Sequence, residues 1–101
     1  MKEKDFQKQV IQLAEILGWV VYHFSDSRRQ VSPGVFVGDS GCAGFPDLVL
    51  VRDRVVYAEL KGDGGRLRPK QVEAIDSLRN ARAEVYLWFP DDILEIQRIL
   101  K

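Results

Sequence analysis

Apolar positions recur at helical spacing from the start of the chain: Phe6, Val10, Leu13, Ala14 and Leu17 share one face at about 100° per residue, and Gly18 closes the segment. The run Trp19–Phe24 (WVVYHF) is β-branched and aromatic and predicts a buried strand. From Ser25 to Phe45 the chain is dense in Ser, Gly, Pro and Asp, with one short apolar triplet, Val35–Val37, that fits an edge strand or hairpin. Loops of this length in a small domain are usually functional or mobile. Two strand-like runs, DLVLV and VVYAEL, then flank a tight RDR and predict a β-hairpin centred near Asp53. After a GDGG loop, Pro69 suits the first turn of a helix whose apolar stripe is Val72, Ile75 and Leu78, ending near Ala81. The strand EVYLWF follows, and Pro90, Asp91 and Asp92 open a last helix bearing Ile93, Ile96 and Leu100. The order α, β, β-hairpin, α, β, α predicts an α/β fold with a central sheet flanked by helices.

With 101 residues, 46% hydrophobic and 30% charged, one compact domain spanning 1–101 is expected, and its small core makes self-association as a homodimer a reasonable expectation. No apolar stretch approaches the roughly 20 residues needed to cross a bilayer, and no leader pattern opens the chain, so a cytoplasmic location is expected, in a bacterial or phage-infected cell. The single cysteine, Cys42, has no partner at zinc-ligand spacing and is taken as a bystander thiol. Fifteen basic residues balance fifteen acidic ones, which removes the general basic footprint of a nucleic-acid binder. The distribution restores it locally. Lys61, Arg66, Arg68 and Lys70 lie in a stretch whose one acid is Asp63, and Arg28 and Arg29 form a second basic pair. Brought together, these two segments would present a positive groove to phosphates.

Across a hairpin centred on Asp53, positions symmetric about 53 face one another, which sets Asp47 opposite Glu59 to within one residue. Strand alternation puts Glu59 and Lys61 on the same face. Two acids and an ammonium group therefore converge at the open end of the hairpin. Phosphodiester hydrolysis uses such groups: hard oxygen ligands hold a divalent ion such as Mg²⁺, and a lysine positions the nucleophile or stabilises the transition state.

Helical projection adds two residues. Glu3 falls within roughly 40° of the centre of the first helix's apolar face, whereas Glu15 lies on the opposite side, and Gln71 falls about 40° from the centre of the second helix's stripe. Taken singly each residue has an ordinary reading: Asp47 as a turn former after Pro46, Glu3 at a frayed helix end, Gln71 as a surface amide. It is their convergence that points to a site. His23 reads as a partly buried strand histidine rather than a ligand, and Tyr86, Trp88 and Phe89 as core or dimer contacts.

GFPDLVLV, the hairpin, AELK, a Gly-rich loop and RLRPKQVEAIDSL together resemble the PD-(D/E)xK nuclease superfamily and, within it, the VRR-NUC family of virus-type replication-repair nucleases. EKDFQKQVIQLAEILGWVVYHFSDSRR and AEVYLWFPDD extend the resemblance over nearly the whole chain. It implies a restriction-endonuclease-like αβββαβ core with a C-terminal helix. Carried over by position, it implies Asp47 and Glu59 as metal ligands, Lys61 as the catalytic lysine, Glu3 as the first-helix acid, Gln71 as the second-helix glutamine, and the main-chain carbonyl of Leu60 as a further ligand. Compact members run almost directly from Ser-Arg-Arg into the Gly-x-Pro-Asp turn, whereas this chain inserts roughly Gln30–Ala43 between them, beside the site.

The expected activity is a Mg²⁺- or Mn²⁺-dependent DNA endonuclease, and the resemblance implies action on branched DNA such as Holliday junctions, with a role in DNA repair. Arg28, Arg29, Arg66, Arg68 and Lys70 are the expected phosphate contacts, and Glu3 is expected to reach the metal through water. Two alternatives stand beside this reading. A non-catalytic DNA-binding or assembly module is disfavoured by the presence of all three of Asp47, Glu59 and Lys61; a restriction-type or nicking endonuclease is disfavoured by the lack of room for a recognition domain.

Overall fold

The structure, a computed structural model, describes residues 1–24, 29–32, 35–37 and 43–101. Helix α1 (Glu3–Ile16) leads into strand β1 (Val20–His23), a hairpin of β2 (Arg29–Ser32) and β3 (Val35–Val37), and the hairpin of β4 (Leu48–Val51) and β5 (Val55–Leu60). Helix α2 (Pro69–Asn80), strand β6 (Glu84–Trp88), a 3₁₀ turn (Pro90–Asp92) and helix α3 (Ile93–Leu100) complete the order. This is the expected αβββαβ core with its C-terminal helix, and the β2–β3 pair is a small separate antiparallel sheet.

The four-stranded sheet runs β1-β4-β5-β6; the first two pairings are antiparallel and β5–β6 is parallel. The hairpin register pairs Leu48 with Ala58 and Val51 with Val55, so it is centred on Asp53 as the sequence predicts. Alternation along these strands separates two faces. Leu48, Leu50, Val56, Ala58, Leu60 and Trp88 form one core with Phe6, Val10 and Ala14 of α1 and Ile96 and Leu100 of α3. On the other face, α2 packs against β6, and Ile75 and Val85 are buried outside that core.

The structure departs from the sequence reading where position in the sheet matters. Strand β1 is an edge strand, so Val20, Tyr22 and His23 are exposed rather than buried, because helices cover only part of its surface. Val72, although on the predicted stripe, is exposed for a similar reason: α2 lies over β6 and seats mainly Ile75.

Two packing devices hold the layers in place. Gly18, at φ +89°, turns the chain out of α1 into buried Trp19, whose indole N–H donates to the Leu100 carbonyl at 2.9 Å. Arg52 of the hairpin turn lies 4.5 Å from the Trp19 ring and donates to the carbonyls of Leu17 (2.9 Å) and Leu100 (3.1 Å), placing a cation at two helix C-termini, where the helix dipole favours it. The second device is Gly44. Its φ is +80°, and a Cβ there would lie 2.3 Å from the Lys70 carbonyl oxygen, so the turn leading to Asp47 sits directly on the first turn of α2.

Gly44→Ala is expected to destabilise the protein by more than about 2 kcal/mol, since the left-handed conformation alone costs an L-residue about 1–2 kcal/mol and the clash is with backbone. Gly64, at φ +77° with open space around it, is the control, because Gly64→Ala meets the conformational term alone. Denaturant unfolding of both variants checks this; equal losses would remove the packing role of Gly44.

Candidate active site

Three elements meet at the end of the sheet where β5 leaves it. Alternation along β5 directs Glu59 to the face opposite the main core, and Lys61 follows it on the same side. The turn Gly44–Asp47 brings in a second carboxylate: Asp47 Oδ2 accepts the Leu60 N–H at 2.8 Å. The Phe24 N–H donates to the Asp47 carbonyl at 3.1 Å, carrying the β1–β4 ladder up to this point. The register therefore sets Phe24, Asp47 and Glu59 side by side across three strands.

Glu59 is 1% exposed. Its Oε1 accepts from Gln71 Nε2 at 3.1 Å and lies 3.9 Å from Lys61 Nζ, which is itself buried. Its Oε2 is buried without a hydrogen-bond partner among the described residues. Gln71, at the third position of α2, accepts the Arg68 N–H on its Oε1 at 2.8 Å, so its amide is gripped at both ends and delivers its N–H to Glu59. The sequence signal for this grip is a glutamine two residues after the opening proline of α2, the pattern of a side chain reaching back to cap its own helix. Helical projection located Gln71 but missed its capping role.

Burial raises the Glu59 pKa most, followed by the charge and side chain of Asp47; Lys61 opposes the shift and Glu3 adds to it, leaving the carboxyl at about 8. A carboxylic acid in this position is short of positive charge. A divalent cation would supply that charge and give the orphaned Oε2 a partner, so the donor set fits a hard metal ion.

Helical projection turned Glu3 toward a polar site rather than toward solvent. It is exposed on the first turn of α1, because the helix N-terminus reaches past the sheet to the loop after Lys61. A Cβ at Gly62 would lie 2.6 Å from the Glu3 nitrogen, and the Asp63 N–H donates to the Met1 carbonyl at 3.1 Å. Met1, Lys2, Glu3, Asp5, Gly62, Asp63 and Gly65 line a groove there. Among the described residues, no three His, Cys, Asp or Glu side chains assemble into a metal-binding group, although the Glu3 charge contributes to the raised Glu59 pKa. Arg66, Arg68 and Lys70 are exposed around the start of α2, with Lys70 paired to Glu73 at 3.5 Å. Arg29 begins β2, and Arg28 lies outside the described residues.

The family model of the VRR-NUC domain matches residues 16–88, which include Asp47, Glu59, Lys61 and Gln71. The chain belongs to the VRR-NUC family. It is thus a nuclease domain of that family, as the strand–turn–strand arrangement of two carboxylates and a lysine led one to expect. A solved VRR-NUC domain structure shares the fold, with a TM-score of 0.70 at 21% identity over 99% of this chain and 95% of that one. No curated protein matches the chain in sequence. No helix among the described residues is long and apolar enough to cross a membrane.

The VRR-NUC site carries a pH signature. The folded pKa of Glu59, about 8, lies above its ordinary 4.5, so the protonated form is favoured by folding. The stability this group contributes is complete below about pH 4.5 and is lost as pH rises through 8. In chelator, wild-type melting temperature is expected to fall across that window more steeply than that of Glu59→Gln, whose amide has no proton to lose. Parallel pH slopes from the two proteins would show that Glu59 is ordinarily ionised in the metal-free state.

Proposed function

We propose that this single domain is a Mg²⁺- or Mn²⁺-dependent endodeoxyribonuclease whose centre is Asp47, Glu59 and Lys61. The observation that carries the proposal is the buried Glu59 Oε2, without a partner among the described residues, beside a second carboxylate. Asp47, Glu59 and the Leu60 main-chain carbonyl are the proposed metal ligands, and Glu3, exposed at the groove, is assigned contact through water. When bound, the metal supplies a water of lowered pKa and neutralises charge developing on the phosphate.

The chain's own groups then have distinct tasks. Lys61 holds its ammonium group beside Glu59, where it can donate to the nucleophile or to a phosphate oxygen as charge builds. Gln71 fixes the Glu59 carboxylate in one orientation, and the Leu60 N–H does the same for Asp47. Arg66, Arg68 and Lys70 offer exposed cations to the DNA backbone, joined in this proposal by Arg28 and Arg29.

The DNA is proposed to be branched, and the active species a homodimer. Two incisions placed symmetrically on a four-way junction need two sites, and a two-fold dimer provides them. A cytoplasmic setting in repair or replication follows from that substrate.

Asp47→Asn and Lys61→Ala are each expected to lower cleavage at least about 100- to 1,000-fold, the loss typical of removing one stabilising group, with Lys61→Ala still binding DNA. Gln71→Ala should lose less. Gel assays on labelled DNA with Mg²⁺, Mn²⁺ or EDTA read this directly; full activity in EDTA, or wild-type rates from Asp47→Asn, would end the metal assignment.

On linear, flap and four-way substrates, cleavage is expected on branched forms, with paired nicks at junctions and a dimer in sedimentation. A monomer that cuts only unbranched duplex would contradict both.

A further inference from the structure

We infer that Tyr22, Phe24 and Phe45 form a stacking platform for an unpaired nucleotide beside the scissile phosphate; this rests on the nuclease reading above and specifies its substrate.

The three side chains are 57%, 47% and 39% exposed, although aromatic rings of this size ordinarily gain most by burial. They cluster at one place. Tyr22 pairs across the sheet with Val49, which pairs with Tyr57, and Phe24 stands opposite Asp47 in the next row. Phe45 sits edge-on to Phe24 at 5.7 Å between ring centroids and edge-on to Tyr57 at 5.9 Å. Its ring is therefore held in one attitude before any ligand arrives, which lowers the entropy lost on binding. Neighbouring strands lie about 4.8 Å apart, so the Phe24 backbone is one strand spacing from the Asp47 backbone.

Position decides the kind of occupant. Phe24 stands opposite Asp47, Phe45 lies two residues before it, and Gly44 seats this turn on the Lys70 backbone at the start of α2, so the rings border the Asp47–Glu59 pair. Flat apolar rings beside a nuclease centre match the base of a nucleotide whose phosphate reaches that centre. The base must be unpaired, because within a duplex both faces of every base are already stacked. The platform thus favours DNA that is gapped, flapped or open at a branch point next to the cut.

The test uses the full chain in EDTA, so that binding is read without cleavage. The probes are a single-stranded oligonucleotide containing 2-aminopurine and the same sequence fully paired. The single strand is expected to bind more tightly, with quenching of 2-aminopurine fluorescence. Phe24→Leu and Phe45→Leu, which keep apolar bulk, should weaken single-strand binding roughly tenfold or more each while leaving duplex binding within about twofold. Tyr22→Ala removes the most exposed ring and provides a second reading should either leucine variant fail to melt cooperatively. Unquenched fluorescence, equal loss on both probes, or variants that dissociate a dimer without altering DNA binding would overturn the platform, the last by assigning the face to a second copy. Cleavage by wild type in Mg²⁺ with no such base dependence would remove the platform and leave the nuclease reading standing. Quenching without cleavage in any metal would do the reverse.

Discussion

A carboxylate buried without enough donors is the constraint on which this site depends. Glu59 is placed by strand alternation, and burying its charge is unfavourable unless it is neutralised or paired. Lys61 at 3.9 Å and the Gln71 amide satisfy Oε1 in part, while Oε2 has no partner among the described residues and Asp47 adds a second negative charge. A structural ion pair would be arranged for satisfaction. This cluster is left short of donors among the described residues, which suits a group of functional origin.

Holding two acids together takes rigid support, and it comes from backbone rather than from side chains alone. The Leu60 N–H secures Asp47, the Arg68 N–H secures Gln71, and the Lys61 N–H donates to the Trp88 carbonyl at 3.0 Å, tying the Glu59 end of β5 to β6. Gly44 and Gly62 let the turn before Asp47 and the loop after Lys61 touch the first turns of α2 and α1. Both helices thereby present their N-termini, the positive ends of their dipoles, to the acidic end of the sheet. Far from the site, Trp19 and Arg52 fasten the opposite end, where α1 and α3 finish.

The chain has no net charge, and its charges are unevenly placed. Glu3, Asp5 and Asp63 line the groove together with Lys2 and the Met1 amine, whereas Arg66, Arg68 and Lys70 are exposed around the start of α2. In the proposed reading, a polyanion would be held by these cations while its reacting phosphate lies against the acids, and the exposed rings of Tyr22, Phe24 and Phe45 would add an uncharged means of recognition.

The sequence by itself determined the order of elements, the hairpin register about Asp53 and the convergence of Asp47, Glu59 and Lys61, because strand periodicity and a tight turn are local and leave little freedom in what faces what. Helical projection found Gln71, since its angle on α2 follows from spacing alone. Glu3 shows the limit of that method: its angle on α1 was legible, but the helix end overhangs the sheet, so facing inward there means facing a groove. In the same way WVVYHF reads as a buried strand until the sheet order makes it an edge, leaving Tyr22 and His23 exposed. Only the tertiary structure decided that Oε2 of Glu59 would lack a donor, that Gln71 would be gripped by Arg68, and that Phe24 would lie beside Asp47, because each joins segments distant in sequence whose meeting no local pattern encodes.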